Sequence, residues 1–318
     1  MRLLITGVTG LLGANLAWEA RQAGFAVWGV AARRPLPGAP FPMRTVDLTA
    51  PAALDAVWAW ARPDAVIHTA ALAHVDACER DPARAREVNA VLPGALAARA
   101  AQAGVPLVHI STDAVFDGTR GDYTEDDPPN PRNVYARTKL EGERAVLAAH
   151  PRAAVARVNF FGWSLTGGRS LAEWFLDNLQ AGRPMRGFTD VWFCPLLANH
   201  LAQVLLAMLA RGLTGVYHAT SPQCTTKYAF GVALAQTFGY DPALIRPATV
   251  DDAGLAAPRP RRLTLRSDKL AQALGRPLPD WRTGLQAWHR QFTTGYTEDL
   301  RAWLTSPLED AHADYCLL

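Results

Sequence analysis

The chain begins with the stretch MRLLITGVTGLLGANLAWEARQ at residues 1–22. Leu3 to Thr6 form a short apolar run that stops at Gly7, and apolar residues at helical spacing follow from Leu11 to Gln22. A glycine closes this segment, and Phe25 to Ala31 is the next apolar run. The order of apolar run, glycine turn, helix and apolar run predicts a β-turn-α-β unit.

Similar pairs of strands and helices continue along the first half of the chain. The further predicted strands are Thr45-Val46, Ala65 to Thr69, Pro106 to Ser111 and Ala154 to Val158, and the predicted helices are Ala52 to Ala61, Pro82 to Ala103 and Val134 to Ala149. Strands that alternate with helices imply a parallel, doubly wound sheet with right-handed crossovers. We therefore predict a Rossmann-type α/β fold.

Composition limits the class of protein. The chain is 49% hydrophobic and 19% charged, which is ordinary for a soluble globular protein, and its net charge of +3 is too mild to favour a nucleic-acid partner. No apolar stretch approaches the ~20 residues of a membrane span, and no signal peptide is recognised. Cys78, Cys194, Cys224 and Cys316 are widely spaced, which predicts reduced thiols in a cytoplasmic protein and no metal site.

Three glycines at the first turn predict a dinucleotide site. Gly7, Gly10 and Gly13 follow the first strand directly, where missing side chains allow a tight turn that brings amide groups and a helix N-terminus onto a pyrophosphate. Leu11 and Leu12 lie between the last two glycines and are included in the predicted cofactor-binding set. A turn that needs glycine only for packing is the alternative.

The end of the second strand predicts which cofactor is bound. A site for NADH normally has an acidic residue there, whereas this chain has Arg33 and Arg34, which suit a 2′-phosphate. NADPH is therefore predicted, with NADH left open. Asp47 is expected to accept a hydrogen bond from the adenine amino group. Further cofactor contacts are predicted from Leu48, after the third strand, and from Ala70 and Ala71, after the fourth.

These assignments divide the chain into domains. Residues 1–158 are predicted to form the NAD(P)-binding domain, to which residues 191–218 return as a helix and a strand. A smaller C-terminal substrate-binding domain is predicted for residues 159–190 and 219–296. The last segment, 297–318, is predicted to contain a short helix around Leu300 to Leu304 and then a polar tail that is loose or partner-bound.

A second group of residues predicts the chemistry. Thr112 ends a predicted parallel strand, where open α/β sheets bind ligands, and Tyr135 follows 135 − 112 = 23 positions later. Lys139 lies four residues beyond Tyr135, so both share one face of a helix and the ammonium can favour a phenolate. We expect these side chains to converge on one carbonyl group. A Tyr and a Lys that only cover the surface of an amphipathic helix are the alternative.

Together these motifs resemble the extended short-chain dehydrogenase/reductase family. Its dTDP-4-dehydrorhamnose reductase branch is similar to the stretches VDACE at 75–79, STDAVFDG at 111–118 and PRNVYARTKLEGE at 131–143. That branch reduces a 4-keto nucleotide sugar with NAD(P)H. The resemblance implies that Tyr135 donates a proton to the carbonyl oxygen, that Thr112 polarises it, and that Lys139 binds the nicotinamide ribose and lowers the Tyr135 pKa.

The resemblance also implies a nucleotide-sugar substrate and leaves a homodimer open. Asp113 is assigned to the substrate site, together with two aromatic residues, Phe160 and Trp163, that could stack on a base or belong to the core. Arg259, with Arg261 and Arg262, could bind a diphosphate or lie on the surface.

Three activities compete within this family. Related dehydratases have an Asp-Glu pair after the strand-end threonine, whereas here Ala114 follows Asp113, which disfavours dehydration. We predict an NADPH-dependent reductase of a 4-keto-6-deoxy nucleotide sugar. A nucleotide-sugar epimerase and a non-catalytic NADP-binding regulatory subunit, like that of methionine adenosyltransferase, are the alternatives.

Overall fold

The computed structural model describes residues 1–251 and 260–305. Its strands are β1 (Arg2–Thr6), β2 (Ala26–Ala31), β3 (Met43–Thr45), β4 (Ala65–His68), β5 (Leu107–Thr112), β6 (Ala154–Val158), β7 (Phe160–Phe161), β8 (Met185–Phe188), β9 (Trp192–Phe193), β10 (Leu196–Leu197), β11 (Gly215–Ala219), β12 (Thr225–Thr226), β13 (Ile245–Ala248) and β14 (Arg262–Leu263). Its α-helices are α1 (Leu11–Gln22), α2 (Ala53–Ala61), α3 (Val75–Arg80), α4 (Pro82–Arg86), α5 (Leu92–Ala103), α6 (Val134–Ala149), α7 (Leu171–Gln180), α8 (Ala198–Ala210), α9 (Lys227–Phe238), α10 (Asp268–Leu274), α11 (Trp281–Thr293) and α12 (Tyr296–Ala302).

Seven strands form a central sheet in the order β11-β6-β5-β4-β1-β2-β3. Every neighbouring pair is parallel. The strand order reverses direction between β1 and β4, and in sheets of this kind the crevice at that switch point binds ligands at the carboxyl ends of the strands. The predicted Rossmann-type fold is confirmed.

Both faces of the sheet are buried, which explains the continuous apolar runs in the sequence. Along β1, Leu3 and Ile5 point into one core, which also contains residues of α1 and α8, such as Leu16 and Leu205. Leu4 points the other way, into a second core that contains residues of α2, α5 and α6. Side chains alternate between the two faces of a strand, so one strand supplies both cores.

The helix predicted from Pro82 to Ala103 is present but contains a turn of a different kind. Its first part is α4, its last part is α5, and Glu87–Val91 between them form a π-helical turn. The sequence analysis also missed α3, which ends at Arg80. The next residue, Asp81, caps the start of α4, because its carboxylate accepts from the backbone N–H of Arg84 at 2.9 Å. Turns of the π type are frequent near functional sites.

The second half of the chain contributes to two parts of the molecule. α8 packs against α1, and β11 pairs with β6 at the edge of the central sheet. The remaining strands form three small sheets, β10-β7, β12-β9-β14 and β13-β8. Within the two described segments, no helix has both the length and the apolar character to cross a membrane.

The described end of the chain contains the short helix that was predicted there. The helix predicted around Leu300 is α12, and Leu300 and Trp303 are buried. The Trp303 ring stacks on Trp18 of α1 at 5.8 Å and meets Phe41 edge-on at 5.3 Å. These aromatic contacts hold α12 against α1, and the polar tail was predicted only after this helix. The rest, 306–318, lies outside the described residues.

The prediction that all four cysteines are reduced is wrong. Cys194 and Cys224 form a disulfide, with Cα atoms 4.1 Å apart. The physical reason is that β9 and β12 pair antiparallel, which brings the residues just beyond the paired positions together. Cys78 is a buried free thiol, and Cys316 lies outside the described residues. Cysteine content therefore no longer supports the predicted cytoplasmic location.

Candidate active site

The glycine turn between β1 and α1 has the geometry that dinucleotide binding requires. Gly7 has a φ of +73°, and a Cβ there would lie 2.7 Å from the Ala70 backbone. A Cβ on Gly13 would collide with the carbonyl oxygen of Gly7. Gly10 is the N-cap residue of α1 and has no side chain to cap it, so the first-turn amides, which lack intrahelical partners, are free for an anion.

A cleft of ≈500 Å³ extends from this turn along the carboxyl ends of β1, β2 and β4. Eight of the predicted cofactor-binding residues line it: Gly7, Gly10, Arg33, Arg34, Asp47, Leu48, Ala70 and Ala71. The other predicted cofactor-binding residues, Leu11, Leu12, Gly13, Tyr135 and Lys139, do not line it. Leu12 and Gly13 are buried in α1, where their backbone amides are the groups that could reach a ligand. These cofactor-binding roles remain predictions.

The carboxylate of Asp47 already has partners. Its Oδ2 accepts from Arg84 at 2.5 Å, and its Oδ1 accepts from the backbone N–H and the hydroxyl of Thr49 at 3.0 and 2.8 Å. Burial acts to raise the pKa of Asp47, but the hydrogen bonds from Thr49 and Arg84 outweigh it and hold the pKa below its usual value. An adenine amino group would therefore compete with Arg84 for this carboxylate.

Arg84 is a lining residue that the sequence analysis missed. It lies on α4, and its guanidinium also donates to Glu87 at 2.5 Å, so two carboxylates orient it at the wall of the cleft. Further missed lining residues are Thr9, Thr49, Thr69, Leu72, Val88, Leu92 and Arg169. Arg169 belongs to the loop before α7 and comes from the second half of the chain.

Thr112, Tyr135 and Lys139 meet at the carboxyl end of β5, the strand next to β4. α6 begins at Asn133, whose side chain accepts from the backbone N–H of Ala136 at 2.8 Å and so fixes the first turn that holds Tyr135. The Tyr135 phenol lies close enough to the Thr112 hydroxyl for Thr112 to act on its pKa. The two groups that should act on the carbonyl oxygen thus lie close together.

Burial, rather than Lys139, dominates the pKa of Tyr135, so the structure does not show the expected lowering of that pKa. Lys139 is 2% exposed, and its ammonium donates to the carbonyl oxygen of Ile110 at 2.6 Å. Burial lowers the pKa of Lys139 to about 8, although nearby Glu143 acts to raise it. Burial raises the pKa of Tyr135 to about 12, although the nearby Thr112 hydroxyl acts to lower it. The phenol is therefore protonated at neutral pH.

Asp113 is next to Thr112 in the chain, and their side chains are in contact. It is 4% exposed, accepts from Thr112 at 3.1 Å, and accepts from the side-chain amide of Asn159 at 2.6 Å. Burial raises the pKa of Asp113 to about 6, although the Asn159 and Thr112 hydrogen bonds act to lower it. Asn159 follows β6 directly and was not singled out from the sequence. The substrate-binding role of Asp113 remains a prediction.

The predicted substrate residues of the second half have different positions. Phe160 lies in β7 and is half-buried, so a role in binding stays open. Trp163 is 4% exposed and stacks on Trp288 at 4.2 Å, so it is a core residue and not a platform for a base. Arg259 lies outside the described residues.

The two neighbouring arginines differ from each other. Arg261 makes ion pairs with Asp251 at 2.6 Å and Asp190 at 3.2 Å, so its charge is already balanced. Arg262 is exposed on β14. Among the residues that the structure describes, no group of three or more His, Cys, Asp or Glu side chains is placed to hold a metal ion.

A buried polar network holds β5, α6 and β6 together. Glu143 accepts from Ser111 at 2.5 Å and from the Arg157 guanidinium at 2.8 and 3.0 Å. The side chains of Glu143 and Arg157 are 3% and 5% exposed. Since Ser111 precedes Thr112, and Glu143 lies one turn after Lys139, this network fixes the strand and the helix that carry the predicted catalytic groups.

A dinucleotide cleft beside a Thr, a Tyr and a Lys, on a doubly wound parallel sheet, defines an extended short-chain dehydrogenase/reductase. The family described as RmlD substrate binding domain matches residues 1–294. The chain belongs to this family.

The relatives that match most of this chain include reductases and a subunit of methionine adenosyltransferase. The chain is similar to the dTDP-4-dehydrorhamnose reductase of Mycolicibacterium smegmatis, with 36% identity over 90% of this chain and 84% of the relative. It is 34% identical to the probable low-salt glycan biosynthesis reductase Agl14 of Haloferax volcanii, over 92% of this chain and 99% of the relative. It is also 35% identical to the methionine adenosyltransferase 2 subunit beta of Xenopus tropicalis, over 90% of this chain and 86% of the relative.

One solved structure shows the same fold with a cofactor. The dTDP-4-dehydrorhamnose reductase of Bacillus anthracis, in complex with NADP, superposes with a TM-score of 0.82 and 24% identity, over 91% of this chain and 99% of that chain.

Proposed function

We propose that this protein is an NADPH-dependent reductase of a 4-keto-6-deoxy nucleotide sugar, similar to dTDP-4-dehydrorhamnose reductases. The observation that carries the proposal is the closely spaced Thr112–Tyr135 pair at the end of β5, with Lys139 behind it and the dinucleotide cleft beside it. The reductase names of the relatives from Mycolicibacterium smegmatis and Haloferax volcanii support it.

At Gly7 and Gly13 the backbone occupies the space that a Cβ atom would need, so only glycine allows this tight turn. A glycine turn of this kind is what dinucleotide binding requires. Arg33 and Arg34 are both exposed at one end of the cleft and could pair with a 2′-phosphate. Bound NADPH would supply the hydride that reduces the ketone. The pyrophosphate would lie against the first turn of α1.

The protein's own side chains complete the reduction by supplying one proton to the carbonyl oxygen. Hydride addition to a carbonyl leaves negative charge on its oxygen, which requires a proton and hydrogen-bond donors. Tyr135 suits the role of donor because its raised pKa keeps the phenol protonated at neutral pH. Thr112 would donate a second hydrogen bond to the same oxygen by turning its hydroxyl proton away from Asp113. Ala114 stands where a dehydratase would have its second acid, which favours simple reduction.

The sugar-nucleotide would enter from the side of the second domain. We propose that residues 159–190 and 219–296 form the wall that binds it, with Phe160 as the remaining aromatic candidate. Asp113 and Asn159, which hydrogen-bond to each other next to Thr112, would form the base of the substrate site.

The test is turnover with purified protein. Given NADPH and a dTDP-4-keto-6-deoxy sugar, the protein should consume one NADPH for each alcohol formed, and the corresponding sugar nucleotide without a ketone should cause no NADPH loss. If no ketosugar nucleotide in a panel of dTDP, UDP and GDP derivatives is reduced above the rate without enzyme, the proposal fails.

A second candidate rests on the relative from Xenopus tropicalis, which is named as a subunit of methionine adenosyltransferase. If this chain is a non-catalytic subunit, NADPH should bind without turnover and a partner should co-purify in fixed stoichiometry. Steady turnover by the isolated chain would exclude this candidate as its only function.

A further inference from the structure

Two histidines lie buried behind the catalytic lysine, and no step proposed above uses them. His68 ends β4 and His109 lies beside it on β5, in register across the sheet. They are 1% and 0% exposed, and their rings stack with centroids 5.3 Å apart. His68 Nδ1 is 2.6 Å from the hydroxyl of Thr6, the residue just before the glycine turn.

His109 is the one of the two that contacts Lys139. Its Nε2 is 3.5 Å from the Lys139 ammonium nitrogen, which also donates to the carbonyl oxygen of Ile110. An ammonium group has donors only, so Nε2 must be the acceptor and the ring must carry its proton on Nδ1. Within the described part of the chain, His109 Nδ1 has no hydrogen-bond partner.

The charged groups around Lys139 leave its ammonium group in need of an uncharged hydrogen-bond acceptor. Glu143, from the next turn of α6, acts to raise the Lys139 pKa, but it is shared with Arg157 of β6. Burial, with Lys139 and then His68 adding to it, lowers the pKa of His109 well below its usual value, so His109 stays neutral. Burial and Lys139 likewise lower the pKa of His68 to about 3. Tyr135, the other titratable group on this face of α6, stays protonated at neutral pH.

We propose that His109 is a positioning residue for Lys139, in that its Nε2 and the Ile110 carbonyl oxygen hold the ammonium at two points against the end of β5. The effect of His109 on turnover, unlike its effect on Lys139, rests on the proposed function. A buried ammonium with a single partner would lose its proton more readily, because a hydrogen bond to the charged form favours that form. His109 thus keeps Lys139 charged and in place at the pH of turnover, and His68, stacked on its ring, fixes the ring orientation.

The direct test measures the lysine and does not depend on activity. The chain contains only three lysines, Lys139, Lys227 and Lys269, so NMR of protein labelled at lysine Cε gives few signals, which Lys227→Arg and Lys269→Arg assign. His109→Gln keeps an acceptor at the position of Nε2, whereas His109→Met has similar length and no comparable acceptor. We expect the Lys139 pKa to fall by about one unit in His109→Met and by less than half of that in His109→Gln.

The link to turnover is read from the pH profile of kcat/KM. If the Lys139 pKa falls from about 8 by one unit, the protonated fraction at pH 8 drops by about fivefold and at pH 6 hardly changes. His109→Met should therefore lose activity at pH 8 only, with KM little changed, and His109→Gln should recover it. Thermal unfolding of both variants separates this effect from lost packing.

Two results would overturn the inference: an equal Lys139 pKa in wild type, His109→Gln and His109→Met, or equal loss of activity in both variants at every pH. If His109→Met does not fold, His109→Phe takes its place, since its ring can keep the stack on His68. Absence of turnover in the wild type would instead refute the proposed function, and the NMR titration would still decide the role of His109.

Discussion

Removing the buried carboxylate of Glu143 tests whether the network behind the active site holds β5 and α6 together. Glu143→Gln leaves the Arg157 charge, whose side chain is 5% exposed, without its counter-charge. Breaking a buried pair from one side costs about 3–5 kcal/mol in the free energy of unfolding. At about 2 °C per kcal/mol for a chain of this size, Tm should fall by roughly 6–10 °C.

The same helix offers a matched control. Glu141 lies two residues earlier and pairs with Arg86 at 3.0 Å, but both side chains are well exposed. An exposed ion pair contributes about 0–1 kcal/mol, so Glu141→Gln should change Tm by less than about 2 °C. Urea unfolding at constant pH, with calorimetry for Tm, measures both variants. Equal stability of Glu143→Gln and Glu141→Gln would refute the idea that this pair stabilises the site.

Three further predictions concern the cleft and the disulfide. Replacing Arg33 and Arg34 by Ala should reduce kcat/KM for NADPH by about tenfold or more and leave NADH nearly unchanged, since each lost charged contact to a phosphate is worth about 1.5–3 kcal/mol; an equal loss with both cofactors would contradict the assignment. Gly13→Ala should abolish measurable NADPH binding in calorimetry, because its Cβ would lie 2.8 Å from the Val8 Cα and push the turn apart; binding within a few-fold of wild type would argue against this geometry. A thiol assay on the denatured protein should find two more thiols after reduction than before, because Cys194 and Cys224 are bonded; the same count before and after would disprove the disulfide.

Local sequence patterns were sufficient to predict the fold and the first half of the site. The glycine turn directly after β1 and the four-residue spacing of Tyr135 and Lys139 are local features, and their geometry follows from strand and helix periods. The apolar runs of the strands follow from burial on both faces of the sheet.

Contacts between distant segments could not be predicted in this way. The ion pair of Asp47 with Arg84 joins residues 37 positions apart, and the stack of His68 on His109 depends on the register of two strands. The disulfide depends on two strands of two residues each, too short to give a sequence pattern. The sequence left Trp163 open between a binding surface and the core, and only its stacking on Trp288 of α11 places it in the core.

The pKa of the tyrosine was misjudged for a related reason. Sequence spacing places Lys139 one turn from Tyr135, but it does not show that the ammonium turns inward to the Ile110 carbonyl oxygen. Nor does it show how deeply the phenol is buried, and burial is the dominant cause of its raised pKa.

The central claim, that the Tyr135 hydroxyl delivers the proton to a sugar ketone, is tested most directly by single-turnover reduction in Tyr135→Phe. Tyr240→Phe is the matched control, because Tyr240 is half-buried like Tyr135 but follows α9 and not the end of β5. The account predicts that Tyr135→Phe still binds NADPH but reduces a dTDP-4-keto-6-deoxy sugar about 10²–10⁴-fold more slowly, while Tyr240→Phe keeps the wild-type rate. A Tyr135→Phe rate within about threefold of wild type, far less than the loss of a general acid costs, would contradict it.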